Sequence, residues 1–287
     1  MKKKIAITID SKLLEIIDNK VDKIKYKNRS HIIENLIRKW LNLKKDVWAV
    51  IIANENRWDI ADSSDKYPFT FSKALIQIDW KYIIEKHIEN LITAWVTKII
   101  IAYSSETKDI KNHLESTFNK NILKFIKNNI NIDYIEVSKN DDSWIILEIA
   151  NAVLNTKKII TILSDNYFVN LNLTDVLESH NNQESKLTII VKPDFNLTSY
   201  WNIELKWNKI INFQEKPPDL DSWTWIINTW IYIIESSIIT NKWENYKLEY
   251  DFLPNYIKKF KANAYFHNSP YFHIQSNKIL EELNIIY

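Results

Sequence analysis

Ile83-Ile84-Glu85-Lys86-His87-Ile88-Glu89-Asn90-Leu91-Ile92-Thr93-Ala94-Trp95-Val96-Thr97-Lys98-Ile99-Ile100-Ile101-Ala102 contains two hydrophobic periods in succession. Ile83, Ile84, His87, Ile88 and Leu91 recur at the spacing of one helix face, whereas Ile99-Ile100-Ile101-Ala102 is apolar without alternation. The first pattern predicts a helix with one buried stripe, the second a strand covered on both faces. The same unit recurs along the chain. Val47-Trp48-Ala49-Val50-Ile51-Ile52-Ala53 and Lys158-Ile159-Ile160-Thr161-Ile162-Leu163 are further buried runs, the latter ending at Ser164-Asp165. Residues 107–128 and 143–154 carry helical spacing, and Asn131-Ile132-Asp133-Tyr134-Ile135-Glu136-Val137 alternates as a strand. Alternating strands and helices predict an α/β domain with a mostly parallel sheet and helices on both faces. Hairpin-like strands follow at 187–192, 200–213 and 226–235. Ligands of such sheets bind at the carboxyl ends of the strands. Attention therefore falls on the loops after Ala53 and Leu163, and on Glu215-Lys216.

The chain has 287 residues, enough for one large domain and a small one. It has no cysteine, which removes disulfides and thiolate metal sites. No run of 18 apolar residues and no signal-peptide pattern is present, so a cytoplasmic protein without a membrane span is expected. Net charge is only +2, but lysine and arginine concentrate in residues 2–45. Average usage of about 7% would give roughly 20 glycines, and the chain has none. Tryptophan instead reaches 12. Ile78-Asp79-Trp80-Lys81 reads as a turn between strand and helix, and Lys206-Trp207-Asn208-Lys209 as a hairpin tip. Thr93-Ala94-Trp95-Val96 reads as a helix end leading into a strand. Such positions take glycine, which enters the left-handed region without a Cβ clash. These positions suggest that the tryptophans are glycines encoded by UGA, in a gene whose heavy Ile, Asn and Lys usage fits an AT-rich genome; a truly Trp-rich, glycine-free protein is the simpler alternative.

The first 45 residues form a separate pattern. In Lys2-Lys3-Lys4-Ile5-Ala6-Ile7-Thr8-Ile9-Asp10, Ile5, Ile7 and Ile9 alternate with Lys4, Ala6 and Thr8, the period of a half-buried strand. Asp10 or Ser11 caps an expected helix to about Ile24, with Leu13, Leu14, Ile16, Ile17 and Val21 on its apolar face. After a polar turn, Ser30 caps a second helix carrying Ile32, Ile33, Leu36, Ile37 and Leu41. One strand and two helices cannot close a core alone, and dimerisation through paired strands would bury the three isoleucines. This segment resembles the ribbon-helix-helix family of the Arc and MetJ type, whose two-stranded ribbon enters the major groove. The resemblance implies a homodimer or higher homo-oligomer that binds DNA. Lys2, Lys4 and Thr8 would face the bases, and the amides near Ser30 would hold a phosphate. A dimerisation arm with a solvated lysine face is the simpler alternative.

In the larger region, 46–287, a series of short motifs stands in order. Ala53-Asn54-Glu55-Asn56-Arg57-Trp58 is followed by Phe71-Ser72-Lys73-Ala74-Leu75, then Leu163-Ser164-Asp165-Asn166 and Tyr200-Trp201. Phe213-Gln214-Glu215-Lys216-Pro217 and Ile227-Asn228-Thr229-Trp230-Ile231-Tyr232 complete it. With glycine at the tryptophans, this series resembles the sugar-1-phosphate nucleotidyltransferases, with their Rossmann-like sheet. The resemblance implies transfer of a nucleoside monophosphate from an NTP to a sugar 1-phosphate, giving NDP-sugar, pyrophosphate and a place in sugar nucleotide biosynthesis. It implies Arg57 on the triphosphate, Lys73 on a substrate phosphate, and Lys216 on the sugar phosphate. Asp165 would bind Mg²⁺, Glu215 the sugar hydroxyls, and Trp201, as glycine, would leave room for the sugar. Ala53 and Asn54 would border the triphosphate, Trp144, as glycine, would start a helix beside the base, and Asn228 would meet the sugar. Two positions depart from the family. Asn54-Glu55 replace two loop glycines, and His273 stands where the second metal carboxylate belongs, as a weak Mg²⁺ ligand. These departures admit a second reading, a DNA-binding transcriptional regulator whose weakened transferase domain senses a sugar nucleotide.

Overall fold

The computed structural model of the protein describes residues 6–21, 28–40, 47–54, 72–118, 130–154, 156–194, 200–215, 225–240, 246–274 and 283. The chain divides into two compact units, Met1–Lys45 and Asp46–Tyr287. In the first, α1 (Ser11–Asp18) is capped by Asp10, whose carboxylate accepts from the amides of Lys12 and Leu13. The helix stops earlier than the expected Ile24, because Asp18-Asn19 favours a turn and the Asn19 and Lys20 amides close back on Glu15 and Ile17. The second helix, α2 (Arg29–Trp40), starts before Ser30. The Asn28 carbonyl accepts from Ile32, so Asn28 takes the capping position and Ser30 lies in the first turn, a correction to the expected cap. Arg29 forks onto Asp18, with Nη2 at 2.6 Å from Oδ2, and ties the start of α2 to the end of α1. Ile17 and Ile32 are buried, but Ile7, Leu13, Ile16, Leu36 and Ile37 stay exposed. The strand expected over 2–10 has no ladder within the chain among the described residues; 2–5 lie outside them, and 6–10 pair with nothing.

The second unit is built on a nine-stranded sheet. Its strands are β1 (Val47–Ala53), then a hairpin of β2 (Gln77–Ile78) and β3 (Lys81–Tyr82), which stands apart, then α3 (Ile83–Thr93) and β4 (Lys98–Tyr103). There follow α4 (Lys108–His113), β5 (Asn131–Glu136), α5 (Ser143–Leu154), β6 (Lys158–Leu163), β7 (Asn166–Phe168) and α6 (Leu173–Asn182). The rest is β8 (Leu187–Pro193), β9 (Trp201–Lys206), β10 (Lys209–Glu215), β11 (Ile226–Glu235), α7 (Leu253–Lys259), β12 (Ala262–Phe266) and β13 (Tyr271–His273). The sheet order is β5-β4-β1-β6-β11-β8-β12-β10-β9. The first four strands are mutually parallel, β12 is parallel to β8, and the remaining pairs are antiparallel. The helix expected over 107–128 is α4 continued by a wider π-turn, Leu114–Phe118, and 119–129 lie outside the described residues.

The apolar runs become the core as their lack of alternation predicts. Ala49, Val50, Ile51, Ile99, Ile100, Ile101, Ile159, Ile160 and Ile162 are fully shielded from water. Helix α5 packs on β1, α3 against α6, and α6 on β8 and β12. Removing one of these side chains, as in Ile→Ala, costs about 2–5 kcal/mol by lost transfer energy and an unfilled cavity. The chain builds β1, β4 and β5 outward in one direction and then returns to place β6 on the other side of β1. This reversal is a topological switch point at the carboxyl ends of β1 and β6, the place where α/β sheets bind ligands.

Candidate functional site

The switch point is formed by the residues just past β1 and β6. These strands run in register from Val47↔Lys158 to Ile52↔Leu163, and the Ser164 amide donates to the Ile52 carbonyl at 2.9 Å. Asn54 and Asp165 therefore emerge side by side. Asp165 is buried, and two cationic or potentially cationic groups meet its Oδ2: Lys73 Nζ at 3.7 Å and His273 Nε2 at 3.2 Å. Lys73 sits on a short 3-10 turn, Lys73–Leu75, that enters the β2–β3 hairpin. His273 ends β13, which pairs antiparallel with β7, and the Ile274 amide donates to the Asp165 carbonyl at 3.0 Å. The Tyr271 hydroxyl donates to Asn166 Oδ1 at 2.7 Å and fixes that small ladder beneath the carboxylate.

His87, on the buried face of α3, lies behind Asp165. Burial lowers its pKa to about 4, opposed by the Asn166 carbonyl, the Asp165 charge and the Ser164 carbonyl. It is a neutral imidazole at every physiological pH. Asn54 is buried. Its Nδ2 donates to the carbonyls of Ser138 (3.2 Å) and Asp141 (2.8 Å), joining the end of β1 to the entry of α5. The Ala53 carbonyl accepts from Thr107 Oγ1 at 2.6 Å. At the start of α5 the Trp144 amide donates to Asp142 Oδ1 at 3.0 Å, and the same oxygen accepts from Leu248 at 2.8 Å. The Trp144 indole is buried against Phe252 at 4.2 Å between ring centres.

A second wall is formed by β9, β10 and β11. Trp201 lies opposite Glu215 in the β9–β10 ladder, stacks on Phe213 at 5.0 Å and meets the edge of Tyr250 at 4.8 Å. The Tyr250 hydroxyl donates to Glu215, which chiefly raises its pKa to about 12. Asn228 is buried and engaged within the chain: its Nδ2 donates to the Tyr232 hydroxyl at 2.7 Å and its Oδ1 accepts from the Trp230 amide at 3.1 Å. Tyr232 in turn donates to Glu249 Oε1 at 3.0 Å. Glu249 is buried with a pKa raised to about 7, by desolvation first and the Asp142 charge second. The Trp230 ring stands 4.7 Å from His273 and 5.9 Å from Tyr200.

The structure thus gathers Ala53, Asn54, Lys73, Asp165 and His273 at the strand ends, and Trp201, Glu215 and Asn228 on the antiparallel side. Arg57 and Lys216, with Lys2 and Lys4 of the arm, lie outside the described residues. Four contributors were not singled out by sequence: His87, Asp142, Tyr250 and Glu249. His87 was visible only as one member of an apolar stripe, and nothing local marks the other three. Among the described residues no group of three or more His, Asp or Glu side chains converges as a metal cage. A single carboxylate such as Asp165 fits Mg²⁺ that is held mostly by substrate phosphates and water. His273 does not fit: an imidazole is a poor ligand for so hard a cation, and its Nε2 is directed at Asp165 itself.

Residues 67–275 match the family model described as nucleotidyl transferase. The chain belongs to the nucleotidyl transferase family. Residues 3–44 match a second model, ribbon-helix-helix protein, copG family. Among solved structures, the transferase domain is similar to a protein assigned as a glucose-1-phosphate thymidylyltransferase from Bacillus anthracis, in complex with sucrose. The TM-score is 0.67 at 16% identity, covering 83% of this chain and 94% of the other. It is also similar to HddC from Yersinia pseudotuberculosis, with a TM-score of 0.62, 21% identity and coverage of 82% and 96%. The HddC complex with GMP-PN gives 0.61 at the same identity and coverage. At these identities the likeness speaks for the fold. No curated protein sequence matches the chain. No helix among the described residues is long and apolar enough to cross a membrane.

Proposed function

We propose that the nucleotidyl transferase domain joins an NTP to a sugar 1-phosphate, releasing pyrophosphate and giving an NDP-sugar. The observation that carries this reading is the Lys73–Asp165 pair at the switch point between β1 and β6. Phosphoryl chemistry of this type needs charge neutralisation and in-line placement more than a proton-transfer group. Lys73 supplies the cation at one substrate phosphate. Asp165 would hold Mg²⁺, which when bound supplies charge neutralisation at the phosphates. Arg57 and Lys216 are assigned the triphosphate and the sugar phosphate, and Glu215 the sugar hydroxyls, by the motif series. The names of the similar structures support the substrate class: a glucose-1-phosphate thymidylyltransferase, and HddC with GMP-PN. The test is pyrophosphate release across a panel of NTPs and sugar 1-phosphates. Turnover that is strongly reduced in Asp165→Asn is expected; no turnover with any pair, under conditions where a sugar nucleotide binds tightly, would sink the enzyme reading.

That second outcome belongs to the regulator reading, which one observation favours. Asn54, in place of a phosphate-loop glycine, commits its side-chain amide to the Ser138 and Asp141 carbonyls. In either case we propose that the copG-type arm pairs with a second copy of itself. The exposed Ile7, Leu13, Ile16, Leu36 and Ile37 form an apolar surface that a second arm would cover. The paired ribbon would present Lys2, Lys4 and Thr8 to DNA bases, with a phosphate at the amide end of α2 near Ser30.

A further inference from the structure

Six described residues other than glycine have positive φ: Asp79 (51°), Trp80 (65°), Trp95 (67°), Asn170 (54°), Trp207 (61°) and Trp230 (55°). Asp and Asn tolerate the left-handed region because their short polar side chains bond locally. Tryptophan has no such excuse, yet it fills the other four places in a chain with 12 tryptophans and no glycine. Each place demands glycine for its own reason. Asp79-Trp80 are the two central residues of the β2–β3 hairpin, both at positive φ, the type I′ geometry for which Asp-Gly is a preferred pair. Trp95 follows the C-cap Ala94 of α3. Its amide donates to Ile92 and that of Val96 to Leu91, both at 3.0 Å, the paired bonds of a Schellman motif with its left-handed C′ residue.

Trp207 is the first of two residues joining Lys206 to Lys209, and it alone of the two has positive φ. That is the II′ hairpin, with glycine at the first central position. Trp230 sits where β11 slips register against β8, between Asn228↔Val191 and Tyr232↔Ile189; a left-handed residue in such a bulge is ordinarily glycine. Side-chain packing does not explain the choice at the turn tips, since Trp80 is 95% and Trp207 90% exposed.

We infer that the protein made from this gene carries glycine at positions 80, 95, 207 and 230, its UGA codons being read as glycine and not as tryptophan. The remaining tryptophans follow by the same codon. The backbone at these four positions has the shape that glycine takes. At the site this changes the cavity: the Trp230 ring against His273 and Tyr200, and the Trp201 ring between Phe213 and Tyr250, fill space that the glycine form leaves open. That last consequence rests on the proposed transfer reaction, whereas the codon reading does not.

Tandem mass spectrometry of the protein isolated from its own cells decides it. The tryptic peptide 74–81 and the peptide 87–98 should carry glycine masses at positions 80 and 95; a tryptophan mass at either overturns the inference. In the recombinant tryptophan-bearing chain, glycine at all four positions should raise the thermal midpoint by on the order of 10 °C, and roughly 5 °C above the matching alanine set. Alanine removes the indole but keeps Cβ, so a glycine set no more stable than the alanine set would also overturn it. Failure of the glycine-restored protein to release pyrophosphate would count against the proposed reaction alone.

Discussion

Asp165 shows how one side chain is made ready by its surroundings. A neutral His87 lies behind it, Lys73 and His273 contact one oxygen, and the carbonyl is held by Ile274. Replacing it with asparagine, or Lys73 with alanine, should lower kcat/KM for pyrophosphate release by roughly 10²–10³-fold, as loss of one preorganised electrostatic group does. Circular dichroism should be unchanged. Two buried groups of opposite type make stability depend on pH. His87 is depressed from 6.5 to about 4, so the unfolded chain binds more protons across that window. Its contribution is present above 6.5 and is lost as pH falls through 4. Glu249 is raised from 4.5 to about 7, so the folded chain holds the proton. Its contribution is complete below 4.5 and is lost as pH rises through 7, and the total is on the order of 3 kcal/mol. Urea midpoints of Glu249→Gln and the parent should therefore diverge between pH 5 and 7.5, in favour of the variant. A constant difference would refute this assignment.

Short elements set the geometry, and most of them could be read beforehand. Strand β6 and helix α5 fall on the expected residues because their hydrophobic pattern is nearly continuous, and β11 does so across the polar Asn228-Thr229 and the bulge at Trp230. The end of β6 before Asp165 was legible because a buried run that stops at a carboxylate marks a strand end, whereas Lys73 was picked out only by its place in the motif series. Glu249 and Asp142 were not, since their partners are distant: Asp142 caps α5 but also accepts the amide of Leu248, a contact no local pattern contains. Ser30 was misplaced by two residues because Asn28, itself a good cap, precedes it. Asn228 was legible as part of a motif but not as a buried strut, which depends on Tyr232 and Glu249 behind it. Two caps give measurable outcomes. Asp142→Ala should cost about 2 kcal/mol in the large unit, because two amides lose one charged acceptor. Asp10→Ala should cost about 1 kcal/mol of helix stability in the arm, visible as lower helicity of α1 at a fixed temperature.

At the scale of the whole molecule, two compact units follow one another along the chain, Met1–Lys45 and Asp46–Tyr287. The proposed ribbon predicts that the protein sediments as a dimer and that a charged residue at Ile7 shifts it towards monomer. DNA affinity should fall steeply with salt, and Lys4→Ala should weaken binding to the preferred site more than to unrelated DNA, because that lysine faces bases; an equal loss on both would refute the assignment. In the large unit, β11 has a position no other described strand shares. It is bonded to β6 on one side and to β8 and β9 on the other, and so links the parallel quartet to the antiparallel half. Neither half can open without breaking its ladder. Amide hydrogens within β11 should thus exchange with solvent only when the entire sheet comes apart, and those of Ile233 and Ile234 should be among the slowest in the protein. The strand that carries the Asn228–Tyr232 motif is also the one whose exchange rate reports the cooperative stability of the unit.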